Sequence, residues 1–96
     1  MTIEADSELQ LENEHFRVTR WRIDPGGRIR MHRHAHEYVV VPLVTARMHV
    51  ENSDGTSLVA ELSAGESYTR PAGSEHEVSN RYSDDAIVFI EVERLA

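Results

Sequence analysis

Residues 65–80 run Gly65-Glu66-Ser67-Tyr68-Thr69-Arg70-Pro71-Ala72-Gly73-Ser74-Glu75-His76-Glu77-Val78-Ser79-Asn80. Gly65 permits a turn with positive φ, and Pro71 with Gly73 fixes a second, tight turn that delivers His76 to the start of a strand. From there the side chains alternate: His76, Val78 and Asn80 share the inner face, and Glu77 with Ser79 faces out. A histidine is therefore aimed into the interior. Asn80 reads as a buried amide that bonds to backbone, because a buried polar group needs a partner.

Outward from this stretch the chain is a series of short β-type runs: Phe16 to Ile23, Arg28 to His34, Tyr38 to Val44, Arg47 to Glu51, Ser57 to Leu62, His76 to Asn80 and Ala86 to Val92. Pro25-Gly26-Gly27, Asn52-Ser53-Asp54-Gly55, Ala64-Gly65, Pro71-Ala72-Gly73 and Ser83-Asp84-Asp85 supply the turns between them. No segment has helical length and period. Short, evenly spaced strands predict an all-β sandwich or barrel. Residues 1–15 precede the first long strand as an N-terminal segment, and 96 residues leave room for one core, so the expectation is a single domain over 1–96.

The segment His32-Arg33-His34-Ala35-His36-Glu37-Tyr38 carries the chemistry. On a strand His32 and His34 share a face and present two imidazoles to one point, which suits a transition metal. An isolated H-x-H is more often a pair of solvent-facing histidines on an edge strand. The third inward imidazole, His76, reverses that balance. His36 has the right parity but falls in the turn after His34, which puts it, with Glu37, around the site rather than in it. His49 alternates outward with Arg47 and Glu51, and His15 lies before the first long strand, so both are expected at the surface.

Composition narrows the function. Ten basic against seventeen acidic residues give a net charge of −7, the wrong sign for gripping nucleic acid. With no cysteine, any metal must bind through nitrogen or oxygen. No apolar run approaches a membrane span, and the acidic, polar start is unlike a secretory signal, so the expectation is a cytoplasmic protein without a membrane partner. All ten cations are arginine. Arg17, Arg20, Arg22, Arg28, Arg30 and Arg33 cluster, as solvated strand faces or as guanidiniums that hold a carboxylate in a cavity.

The chain resembles the cupins, small jelly-roll β-barrel proteins whose two sequence motifs meet at one metal. The second motif, G-x5-P-x-G-x2-H-x3-N, is met at Gly65, Pro71, Gly73, His76 and Asn80. The first, G-x5-H-x-H-x3,4-E-x6-G, is met at Gly26, His32 and His34 and then departs: Tyr38 stands at the glutamate position, Glu37 is one place early, and Thr45-Ala46 replaces the closing glycine. The likeness spans residues 16–92. Arg17-Val-Thr-Arg-Trp-Arg-Ile before Pro25-Gly26, and Tyr38-Val-Val-Val-Pro42-Leu, resemble the very small single-domain cupins labelled β-alanine degradation proteins.

The resemblance implies one divalent transition metal (Fe, Zn, Ni, Mn or Cu) on His32, His34 and His76, and leaves open whether Glu37 or Tyr38 replaces the fourth ligand or the three imidazoles stand with open positions. Tyr38 shares the parity of His34 and should face the metal, as an aromatic wall with a hydrogen bond or as a proton donor; direct coordination is disfavoured because a phenol titrates near about pH 10. Arg28 and Arg30 share the parity of His32 and are candidate anchors for a substrate carboxylate. The leading expectation is a metal-dependent, dioxygenase-like enzyme of a small carboxylated metabolite. A metal-dependent isomerase or lyase, or a non-catalytic ligand-binding module, are the alternatives. Apolar residues on both faces of Tyr38 to Val44 and Ala86 to Val92, with Ile29 and Met31 opposite the metal-facing histidines, predict a homodimer.

Overall fold

A computed structural model describes residues 3–96. Ten strands follow one another: β1 (Ile3–Glu4), β2 (Asp6–Glu12), β3 (Phe16–Ile23), β4 (Gly27–Arg33), β5 (Tyr38–Pro42), β6 (Ala46–Asn52), β7 (Ser57–Leu62), β8 (Tyr68–Arg70), β9 (Glu75–Ser79) and β10 (Ile87–Arg94). They form two five-stranded sheets, ordered β1-β4-β9-β6-β7 and β2-β3-β10-β5-β8, the jelly-roll barrel. No helix is long and apolar enough to cross a membrane among the described residues.

Alternation builds the core. Ile23, Val40, Met48, Val50, Leu62, Val78, Ile87 and Phe89 project between the sheets and are buried. Met48 and Val50 face in, as the period-two pattern of β6 requires. Two regions carry strands that the sequence does not announce. The segment before Phe16 forms β1, parallel to β4, and β2, antiparallel to β3, with every β2 residue exposed. The three-residue β8 sits between Gly65 and Pro71 and pairs with β5.

Gly65 takes φ +79° and Gly73 φ +96°, where L side chains are strained. The Gly73 turn also ties the two histidine segments together: the Gly73 amide donates to the His34 carbonyl (2.7 Å), and the His34 amide donates to the Ser74 carbonyl (2.9 Å). Asn80 is 1% exposed, and its Nδ2 donates to the Ile23 and Asp85 carbonyls at 3.0 and 2.8 Å. It staples the ends of β3 and β9, the backbone role expected of it.

The register of β4 against β9 corrects one expectation. Ile29 pairs with Val78 and His32 with His76, so three residues of β4 span two of β9. That extra residue is a β-bulge, and it resets the side-chain period. Ile29 and His32 consequently both line the interior, although simple alternation puts them on opposite faces. Ile29 is thus no part of an outer apolar face. Arg28, taken to share a face with His32, lies outside, where it meets Glu77 at 2.9 Å and Glu4 at 3.8 Å. Arg30, inside the bulge, is exposed and meets Glu4 at 2.7 Å.

Candidate metal centre

His32 and His76 face each other across β4 and β9, and His34 enters just past the end of β4, held by the Gly73 turn. The candidate ligand atoms of the three rings lie within 4.8 Å of one another. His34 Nε2 is 2.9 Å from His32 Nε2 and 3.1 Å from His76 Nε2. An imidazole nitrogen offers one proton or one lone pair, so a single Nε2 cannot satisfy two others as hydrogen bonds. A cation shared by the three would. Three neutral imidazole donors fit a divalent transition ion, and as only three they would leave further positions to water or a bound molecule.

The far side of each ring shows how it is aimed. His32 Nδ1 lies 2.6 Å from the Arg30 carbonyl, an acceptor, so that nitrogen carries the proton and Nε2 presents its lone pair inward. The Arg30 backbone thus serves the site although its side chain does not. His34 Nδ1 is 3.4 Å from Glu91 Oε1. Tyr38 stacks on the His34 ring with centroids 3.9 Å apart and planes 20° from parallel. A parallel stack holds the ring still, and puts Tyr38 beside His34 as a wall.

Burial lowers the pKa of His34 to about 4, helped by repulsion from His32 and His76, and lowers His76 to about 4, helped by His32 and Arg70. Both imidazoles are neutral at pH 7, the state that ligates. Burial raises the Tyr38 phenol above its usual value, which leaves it protonated. Glu91 is pushed up to about 7, first by burial and then by Glu93.

Glu91 carries its own signal in the sequence, a carboxylate in an apolar strand, which the parity of the histidines alone leaves out. It pairs across β10 with Thr19 and Val40 on the inward row and is 8% exposed. Glu37 does the opposite: its carboxylate lies 3.7 Å from Arg94 at the surface, so it is not the carboxylate beside the three rings. His36 is half-buried on the rim of a groove that His32 and His34 also line. His15 is exposed, and His49 is half-buried against Tyr82 (3.1 Å), neither near the triad. The space at the rings is small, about 30 Å³, walled by Ile29, Val40, Met48, Val78 and Phe89.

Residues 19–93 match the family described as Cupin domain. The chain is 42% identical over 85 residues, 88% of its length and 87% of the relative's, to the beta-alanine degradation protein BauB of Pseudomonas aeruginosa. A crystal structure of a cupin domain from Bordetella pertussis Tohama I superimposes with a TM-score of 0.94 and 43% identity, covering 100% of this chain and 98% of that one. A protein with a double-stranded β-helix domain from Klebsiella pneumoniae shares the fold at TM-score 0.77 and 21% identity, covering 95% of this chain and 76% of that one.

Proposed function

The chain belongs to the cupin family, and from that premise we propose that it is a metal-dependent enzyme of small carboxylated metabolites, dioxygenase-like in its chemistry. The observation that carries this is the gathering of three imidazole nitrogens, with His34 Nε2 lying 2.9 Å from His32 Nε2 and 3.1 Å from His76 Nε2. His32, His34 and His76 would hold the ion. A redox-active divalent ion there supplies Lewis acidity and one-electron chemistry when bound. The protein's own groups do the rest: the Arg30 carbonyl and Glu91 aim two of the rings, Tyr38 stacks on His34 with its buried phenol kept protonated, and apolar side chains wall the space at the rings. The name of the Pseudomonas relative, a β-alanine degradation protein, supports a small carboxylated substrate.

The test is metal analysis of untagged protein, then iron reconstitution without oxygen and a screen of small carboxylates for O₂ uptake. Carboxylate-dependent O₂ consumption, lost in His34→Ala, is expected. Turnover with zinc and no O₂ would replace this reading with a Lewis-acid isomerase or lyase. Saturable binding without turnover under any metal would replace it with a ligand-binding module.

We also propose a homodimer. Val18, Val39, Val41, Ile90 and Val92 form a half-buried apolar row on the outer side of the sheet that contains β10, on the face away from Glu91 and Val40. A second copy laid on that row would complete its burial.

A further inference from the structure

Of the ten arginines, Arg17, Arg22, Arg28, Arg30, Arg47 and Arg94 each meet a carboxylate. Arg20, Arg33 and Arg81 meet none among the described residues, and neither does Arg70. Its register explains where it goes: β8 sets Tyr68 opposite Val40 and Arg70 opposite Tyr38, so Tyr68 and Arg70 share the inward face with the two buried β5 residues. The guanidinium carbon stands 4.9 Å from the centroid of the Tyr68 ring, a cation–π contact that holds it over the mouth of a pocket. That pocket holds about 280 Å³ and shares Tyr38, Met48, Tyr68, His76 and Val78 with the small space at the histidines.

Its charge separates it from the other openings. The residues that line it include Met48, Leu58, Ala60, Asn52, Arg70 and Ser74, with one cation and no carboxylate. On the opposite side of the rings, the groove bearing His36 sets Arg17 and Arg33 against Glu91 and Glu93. A third groove, with Arg28 and Arg81, carries Glu77 and touches none of the three histidines. In a protein of net charge −7 the Arg70 pocket is the approach to the triad that favours an anion.

We propose that this pocket binds a small monocarboxylate, with Arg70 as its anchor and its apolar stem laid on Met48, Leu58 and Ala60 toward His76. The assignment deepens the enzymatic reading above and rests on it only for which end of the ligand reacts. Arg70 replaces Arg28 and Arg30 as the carboxylate-binding guanidinium. Its planar fork pairs both carboxylate oxygens, a geometry lysine does not reproduce.

The experiment is an NMR titration of the protein with acetate, propionate, butyrate and, as a neutral isostere, propionamide, with metal content measured on the same samples. Saturable shifts are expected at β8, Met48 and Leu58, tightening from acetate to butyrate and absent with propionamide. Arg70→Lys should weaken propionate by about tenfold or more. Arg70→Gln should abolish saturable binding while wild-type metal content is kept, and Arg20→Gln, on the outer face of β3, should bind as wild type. Propionate binding unchanged in Arg70→Gln, shifts confined to the Arg33 and His36 groove, or no saturable shift with any of the three acids would overturn the assignment. Wild-type protein that takes up propionate at Arg70 but no metal would support it while removing the metal reading.

Discussion

His32, His34 and His76 were legible as a triad because two are adjacent by parity and the third stands inside a fixed spacing of Gly65, Pro71, Gly73 and Asn80. The Arg30 carbonyl that fixes His32 was not legible, since a backbone carbonyl leaves no trace in composition, and Glu91, visible as a carboxylate inside an apolar strand, shows its neighbour His34 only once β10 is paired. That carboxyl gives a pH signature. Its folded pKa, about 7, is raised above the unfolded 4.5, so the folded metal-free protein binds the extra proton and the stability it contributes falls as pH rises from 4.5 through 7. Glu91→Gln should therefore raise the thermal midpoint of the metal-free protein at about pH 8 and leave it nearly unchanged at about pH 4.5. An equal shift at both pH values would mean that packing, not charge, sets the effect. His15→Ala and His49→Ala should leave metal content at the wild-type level by elemental analysis, because neither ring is near the triad.

At the scale of elements, alternation identified β3 and β7 to the residue and located β4, β5, β6, β9 and β10 within a few residues of their ends. It failed where the period is interrupted. The bulge between Ile29 and His32 adds a residue that only the partner strand reveals, and with it Arg28 and Arg30 leave the interior for Glu77 and Glu4. Arg28→Lys and Arg30→Lys should accordingly leave propionate affinity unchanged in the same titration, with stability moved by no more than about 1 kcal/mol, the scale of surface ion pairs. Strands β2 and β8 leave no period-two signal, because the first buries nothing and the second is three residues long inside a motif of turns. The Gly73 turn is the element that couples β9 to His34. Gly73→Ala should cost about 1–2 kcal/mol in denaturant unfolding, from the positive φ, and should loosen metal binding as well. Unchanged metal affinity in that variant would show that His34 is held by Tyr38 and Glu91 alone.

For the molecule as a whole, the barrel and its family follow from the order of strands and turns, but what covers its outer row does not, because one sequence shows a face and not its occupant. Val92→Glu, on the outward row of β10, should convert a dimer in sedimentation velocity to a folded monomer; a wild-type monomer at micromolar concentration would refute the dimer. Three imidazoles from two distant segments meet at the candidate metal centre. The direct test is the metal-to-protein ratio of untagged wild type and His76→Ala, purified side by side and dialysed against the same metal. One ion per wild-type chain is predicted, with most of it lost in a His76→Ala protein that keeps its β-sheet circular dichroism; full metal retention in folded His76→Ala would contradict it.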